Sequence, residues 1–135
     1  MKVSSASVAF LALQFALIGV ALPFAQAQGG DPKEGEEIFK ACRACHQVGP
    51  TAKNALGPVL NNIIGRKAGT IEGFNYSPAN KKAGEEGWVW TEAVLLKYLA
   101  NPREAMPGNR MAFVGLKDEQ ERKDVLAYLK QFSGK

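Results

Sequence analysis

An all-α domain of short helices joined by long loops is the fold class the sequence predicts, on three observations. Capped segments with apolar residues at helical spacing stand near Asp31, Thr91 and Asp118; no segment shows the alternation of a half-buried strand; and Gln47 to Gly87 is rich in Gly, Pro, Asn and Lys. So long an irregular stretch is rare in a compact domain unless something other than secondary structure organises it, and a large buried cofactor would do so. With 135 residues, 46% hydrophobic and 22% charged, the chain has the size and composition of one globular domain. No internal repeat is visible.

The first residues stand apart. Met1-Lys2 precedes an apolar stretch from Val8 to Leu22, interrupted by Gln14 and followed by Pro23 and Ala25-Gln26-Ala27. This is the layout of a secretory signal peptide cleaved after Ala27, so the expected division is a leader over 1–27 and a mature domain over 28–135. An uncleaved membrane anchor is the rival, because the stretch with its flanks nearly reaches the roughly 20 apolar residues of a spanning helix. The small residues before Gln28 favour cleavage, and no later segment could span a bilayer. Loss of Lys2 leaves 16 basic residues, from 17, against 13 acidic ones, a net of +3. Basic residues alternate with Glu and Asp instead of forming a stripe, which argues against nucleic acid as a partner.

In the mature chain, Asp31 with Pro32 and Glu34 forms a helix start, and the helix is expected to run to about Arg43. Ile38, Phe39 and Cys42 share its apolar face. Gly35, one turn earlier on that face, leaves room for a partner helix, although spacing alone allows a tolerated surface glycine equally well. The Gln47–Gly87 stretch is read as loops with one short helix after Pro58. Thr91 caps a helix through Leu99, with Val94, Leu95, Tyr98 and Leu99 on its buried side, ending before Asn101-Pro102. A second loop carries Met106 and Met111. The last helix starts at Asp118, with Glu121 as a capping-box partner, and runs through Val125, Leu126, Leu129 and Phe132 to Gly134.

The two cysteines, Cys42 and Cys45, need a specific explanation, since export places them in an oxidising compartment. In a helical turn the residues at i, i+3 and i+4 fall on one face, so Cys42, Cys45 and His46 can meet one object. Cys42-Arg43-Ala44-Cys45-His46 supplies what covalent haem attachment requires: two thiols for the porphyrin vinyl groups and an adjacent imidazole for the iron. Three rivals are weaker. A thioredoxin-like pair would sit near a βαβ pattern; a zinc site would need a carboxylate as fourth ligand; a disulfide across two residues would close a strained loop. His46 is the only histidine, so a further axial ligand must be of another type, and methionine suits it because a thioether favours ferrous iron. Met106 is read as core filler. Met111 follows Pro107-Gly108-Asn109-Arg110, a turn that can present it inward.

The chain resembles class I cytochromes c, more narrowly the bacterial periplasmic cytochrome c2 type, over nearly all of 31–135. The resemblance rests on Gly35 and Phe39, the Cys42–His46 motif, Leu56-Gly57-Pro58, Gly65-Arg66-Lys67-Ala68-Gly69, Tyr76 with Asn80, Trp90, Tyr98-Leu99-Ala100-Asn101-Pro102, Pro107 to Phe113, and Ala127-Tyr128-Leu129. It implies a small cytochrome c fold in which N- and C-terminal helices cross and further short helices and loops wrap one covalent haem. It also implies Met111 as distal ligand, the Pro58 carbonyl on the His46 ring, and Tyr98 near the methionine sulphur. Arg66, Tyr76 and Trp90 resemble the groups around the haem propionates, and Asn80 is counted with the cofactor-binding residues. The stretch from Asn80 to Trp90, with Glu85-Glu86-Gly87, is longer than in mitochondrial relatives. The lysine ring at the haem edge is thinner, since Ala41 and Ala55 stand at usual lysine positions.

The expected function is a monomeric periplasmic one-electron carrier, not an enzyme. Its expected partners present acidic docking surfaces: a reaction centre, a cytochrome bc complex, an oxidase or a periplasmic dehydrogenase. A haem peroxidase, or a ligand-sensing haem protein, would need an open iron position instead.

Overall fold

The computed structural model describes residues 29–134; the expected leader and its cleavage site after Ala27 lie outside the described residues. The order is α1 (Pro32–Phe39), a 3₁₀ turn (Cys42–Ala44), α2 (Pro78–Glu85), α3 (Glu92–Ala100), α4 (Pro102–Ala105) and α5 (Glu119–Lys130). Among the described residues the only strand-like pairing is one isolated antiparallel bridge between Lys67 and Val89. No described helix is long and apolar enough to cross a membrane.

A side chain caps the start of each α-helix. Asp31 accepts from Lys33 N, Ser77 from Asn80 N, Thr91 from Val94 N, Asn101 from Glu104 N and Asp118 from Gln120 N. Each such cap is worth about 1 kcal/mol. That matters most in helices this short, which have little intrinsic stability and depend on packing.

α1 crosses α5 at Gly35. A Cβ on Gly35 would lie 1.9 Å from Asp124 O and 2.9 Å from Tyr128 Cβ, so the glycine is a contact requirement and not a tolerated surface residue. Gly30 approaches the Lys123 carbonyl in the same way. The crossing is fixed by a polar bond, Asp31 N–H donating to the buried Asp124 Oδ1 at 2.7 Å, and by apolar packing of Phe39 on Tyr128 with ring centroids 5.2 Å apart. Phe39 and Val125 are among the largest fully buried side chains. α5 also packs on α3, and a Lys130–Glu92 ion pair of 2.7 Å links the two.

Four expectations change. α1 stops at Phe39, and the chain tightens through Lys40 N–H to Glu37 O and Ala41 N–H to Ile38 O into the 3₁₀ turn. No helix follows Pro58. Asn62 takes φ +57° because its N–H donates to Phe132 O while its side-chain oxygen accepts from Gly134 N, and this left-handed residue interrupts any helix there. In the stretch read as loops, α2 forms after Ser77-Pro78. Gly84, where a Cβ would sit 2.1 Å from Ala68 O, lets α2 press on the 65–69 segment, and Glu85–Gly87 close that helix. The last helix ends at Lys130, with Gln131 to Ser133 continuing in turns.

Gly35→Ala should lower unfolding stability by about 1–3 kcal/mol or more through overpacking of the crossing. Urea unfolding of the loaded protein measures it; an unchanged midpoint would show that the helices separate at no cost.

Candidate functional site: a covalent haem pocket

The 3₁₀ turn brings the motif residues together. Cys45 N–H and His46 N–H both donate to Cys42 O, at 3.0 and 2.9 Å, so Cys42, Cys45 and His46 share one turn at the end of α1. The two cysteines are not joined to each other in the structure. Burial, with a smaller contribution from Cys45, pushes the Cys42 thiol up to about 11, the opposite of the lowered value a redox-active pair requires. Among the described residues no group of His, Cys, Asp and Glu forms a metal cage, so the carboxylate a zinc site would need is not at hand.

His46 is held from behind. Its Nδ1 lies 2.7 Å from Pro58 O, and since a carbonyl only accepts, Nδ1–H donates and Nε2 keeps a free lone pair. Burial holds the imidazole below its ordinary value; the Pro58 carbonyl opposes this and the Arg66 charge adds to it. The ring is thus kept neutral, as a metal ligand must be. Gly57 makes the approach possible, because a Cβ there would stand 2.4 Å from His46 Cε1. The loop is tied down by Gly57 N–H to Cys45 O at 2.8 Å and by Asn54, whose Oδ1 accepts from Val59 N. Asn61 exchanges two bonds with Gly49, Gly49 N–H to Oδ1 at 2.9 Å and Nδ2 to Gly49 O at 2.7 Å. Sequence reading missed these two asparagines; long-range side-chain bonds leave no periodic trace.

The two methionines differ in their surroundings. Met106 is 4% exposed within the core, whereas Met111 is half-buried with Sδ 3.7 Å from the Tyr98 hydroxyl, which donates to it. Burial pushes Tyr98 up to about 12, so it stays a phenol able to donate. Trp90 packs edge-on against Tyr98, centroids 4.8 Å apart.

Arg66 and Trp90 are joined through backbone, Trp90 N–H to Arg66 O at 2.8 Å and Gly65 N–H to Trp90 O at 2.9 Å. The Arg66 guanidinium donates to Val59 O and Asn61 O and forms no ion pair among the described residues. Its buried Nε has no partner, and burial lowers its pKa, with nearby Tyr76 acting in the opposite direction. Asn80 Oδ1, in α2, is likewise buried without a partner. So is Trp88 Nε1, an indole not among the expected site residues and packed against Trp90. A half-buried cation lacking an anion, with its own Nε unmet, is costly unless a group bringing negative charge completes it. Two free thiols, a neutral imidazole, a thioether and this cation fit a haem with its propionates. A cleft of about 810 Å³ is lined by Trp88, Val94, Tyr98 and Ala105; it shares Tyr98 and Trp88 with this group of residues but not the thiols, His46 or Met111.

Residues 32–133 match the family model for cytochrome c. The chain belongs to the cytochrome c family. It is 52% identical to cytochrome c2 of Rhodomicrobium vannielii over 87% of this chain and 94% of that one. It is 49% identical to cytochrome c2 of Blastochloris viridis over 90% and 93%. Among solved structures, cytochrome c2 of Rhodospirillum centenum aligns with a TM-score of 0.73 at 50% identity, over 78% of this chain and all of that one. Cytochrome cH of Methylobacterium extorquens aligns at 0.69 and 40%, over 76% and 99%. The family fixes the small cytochrome c fold and a covalent haem c, consistent with the crossing of α1 and α5 and the paired thiols.

Gly57→Ala should push the loop off the imidazole and weaken the Pro58 bond. The expected result is faster solvent exchange of the His46 ring N–H, followed by NMR, with the α1–α5 contacts intact; wild-type exchange would show that the ring does not depend on this approach.

Proposed function

We propose that the mature chain is a periplasmic one-electron carrier of the cytochrome c2 type, exported by a leader over 1–27 and folded over 28–135. In this reading Cys42 and Cys45 bind the haem as thioethers, and His46 and Met111 are its axial ligands. The bond between the Tyr98 hydroxyl and Met111 Sδ carries the proposal, because it picks out one of the two mature methionines. When bound, the haem supplies a one-electron couple between ferrous and ferric iron. Cytochromes c2 are carriers and not enzymes, and nothing in this role calls for a substrate.

The chain's part is to hold geometry and exclude water. Pro58 O fixes the His46 tautomer and raises its basicity, while the Tyr98 hydroxyl steadies the thioether. Arg66, Tyr76 and Trp90, with Asn80, would hold the propionates when the haem is bound and would compensate their negative charge. A methionine held in this way leaves no vacant position, which favours a carrier over a peroxidase or a sensor.

Electrostatics support an acidic docking partner, although the basic residues differ in how far neighbouring carboxylates offset them. Lys40 pairs with Glu37 and Arg43 with Glu36, so both are partly offset on their own segment. Lys53, Arg103, Arg110 and Lys117 are exposed and form no ion pair among the described residues. These four steer encounter.

Met111→Ala should abolish the red thioether-to-iron absorption band of the ferric protein and lower its reduction potential, while Met106→Ala should do neither. Equal loss in both variants, or loss in Met106→Ala alone, would show a misassigned ligand. For docking, stopped-flow reaction with an acidic acceptor should slow as ionic strength rises, and Arg110→Gln should slow it about threefold at low salt while Lys33→Gln has little effect. A salt-independent rate would point to an apolar docking surface.

A further inference from the structure

The segment carrying Met111 leaves α4 through a tight turn. Asn109 N–H donates to Met106 O at 3.2 Å, with Pro107 and Gly108 between them and Gly108 at φ +83°, the arrangement of a type II turn. Beyond the turn no helix or strand takes the Met111 N–H. It donates to Asn109 Oδ1 at 2.8 Å. The same side chain's Nδ2 donates to Pro102 O at 2.8 Å and Met106 O at 2.7 Å. Pro102, the first residue of α4, is among the largest fully buried side chains. One amide therefore ties the backbone of Met111 to both ends of a short helix whose own start is fixed in the core. On the far side the loop is tied again by Leu116 N–H to Leu99 O at 2.8 Å.

We propose that Asn109 is a positioning residue for the iron, holding the Met111 backbone so that the thioether stays at its coordination site. The proposal rests on Met111 being the axial ligand. A thioether is neutral and bonds iron by being kept in place, so its advantage over an external ligand is its effective concentration. Without the amide, the 107–111 segment loses its link to α4, and that concentration falls. Sequence reading treated Asn109 as a turn residue; its two-way amide bonding is visible only in three dimensions.

The test uses haem-loaded wild type, Asn109→Ala, Asn109→Gln, Asn101→Ala and Met111→Ala, each titrated with imidazole in the ferric state and unfolded in urea. Glutamine's longer arm cannot meet the same three atoms, so either Asn109 variant serves should the other fold poorly. Asn101→Ala removes an amide that caps α4 without touching Met111. The expected result is imidazole binding on the order of tenfold tighter than wild type in the Asn109 variants, as loss of these hydrogen bonds allows. Asn101→Ala should keep wild-type affinity even where its unfolding midpoint falls. Wild-type affinity in the Asn109 variants, or tightening in Asn101→Ala that tracks lost stability equally, overturns the positioning role. A wild type that lacks the red band and binds imidazole as tightly as Met111→Ala shows instead that Met111 is not the ligand, and both readings fall.

Discussion

The close crossing of α1 and α5 is the constraint on which the rest of the molecule depends. At Gly35 the backbones approach until no Cβ fits, and Asp124, buried beneath, accepts the Asp31 N–H that begins α1. The two ends of the described chain are thereby locked together, with Phe39, Val125 and Tyr128 packed at the junction. The Cys42–His46 turn follows directly from α1, so the thiols and imidazole inherit their orientation from this contact. α5 in turn supports α3, whose Tyr98 reaches Met111.

Between these helices the chain has little regular structure, and side chains replace the missing backbone ladders. Asn54 and Asn61 close the loop that places Pro58 behind His46, and Asn109 closes the loop before Met111. Asparagine suits this task because one planar group both donates and accepts. Such loops stay rigid only while their bonds are made. Rigidity is useful in an electron carrier, because ligand geometry that changes little between oxidation states leaves little to reorganise during transfer.

The parts legible in the sequence were those governed by local rules. Caps at Asp31, Thr91 and Asp118 located three helices, and the Cys-x-x-Cys-His spacing placed three side chains on one turn. Resemblance supplied the Pro58–His46 and Tyr98–Met111 contacts, and both are present in the fold. α2 was missed because its sequence, rich in Asn, Lys and Gly, has weak propensity and packs through Ala83 and Gly84 rather than through an apolar stripe. The Ser77-Pro78 pair before it was the available signal. A helix expected after Pro58 failed on Asn62, whose left-handed backbone is set by contacts with Phe132 and Gly134, just beyond α5. Trp88, the Asn54 and Asn61 clasps and the Asn109 bridge escaped for the same reason: their meaning lies in partners remote in sequence or in a folded loop.

The central claim is that Met111, and not Met106, completes the iron, and the methyl proton spectrum of the ferrous protein tests it most directly. The full chain has three methionines, Met1, Met106 and Met111, and the last two belong to the proposed mature form. With methionine methyl groups isotopically labelled, a methyl held on the iron above the porphyrin face is shifted far upfield by the ring current. The account predicts one such resonance, assigned to Met111, with the Met106 methyl in the ordinary range. An upfield methyl assigned to Met106, or none at all, would contradict it.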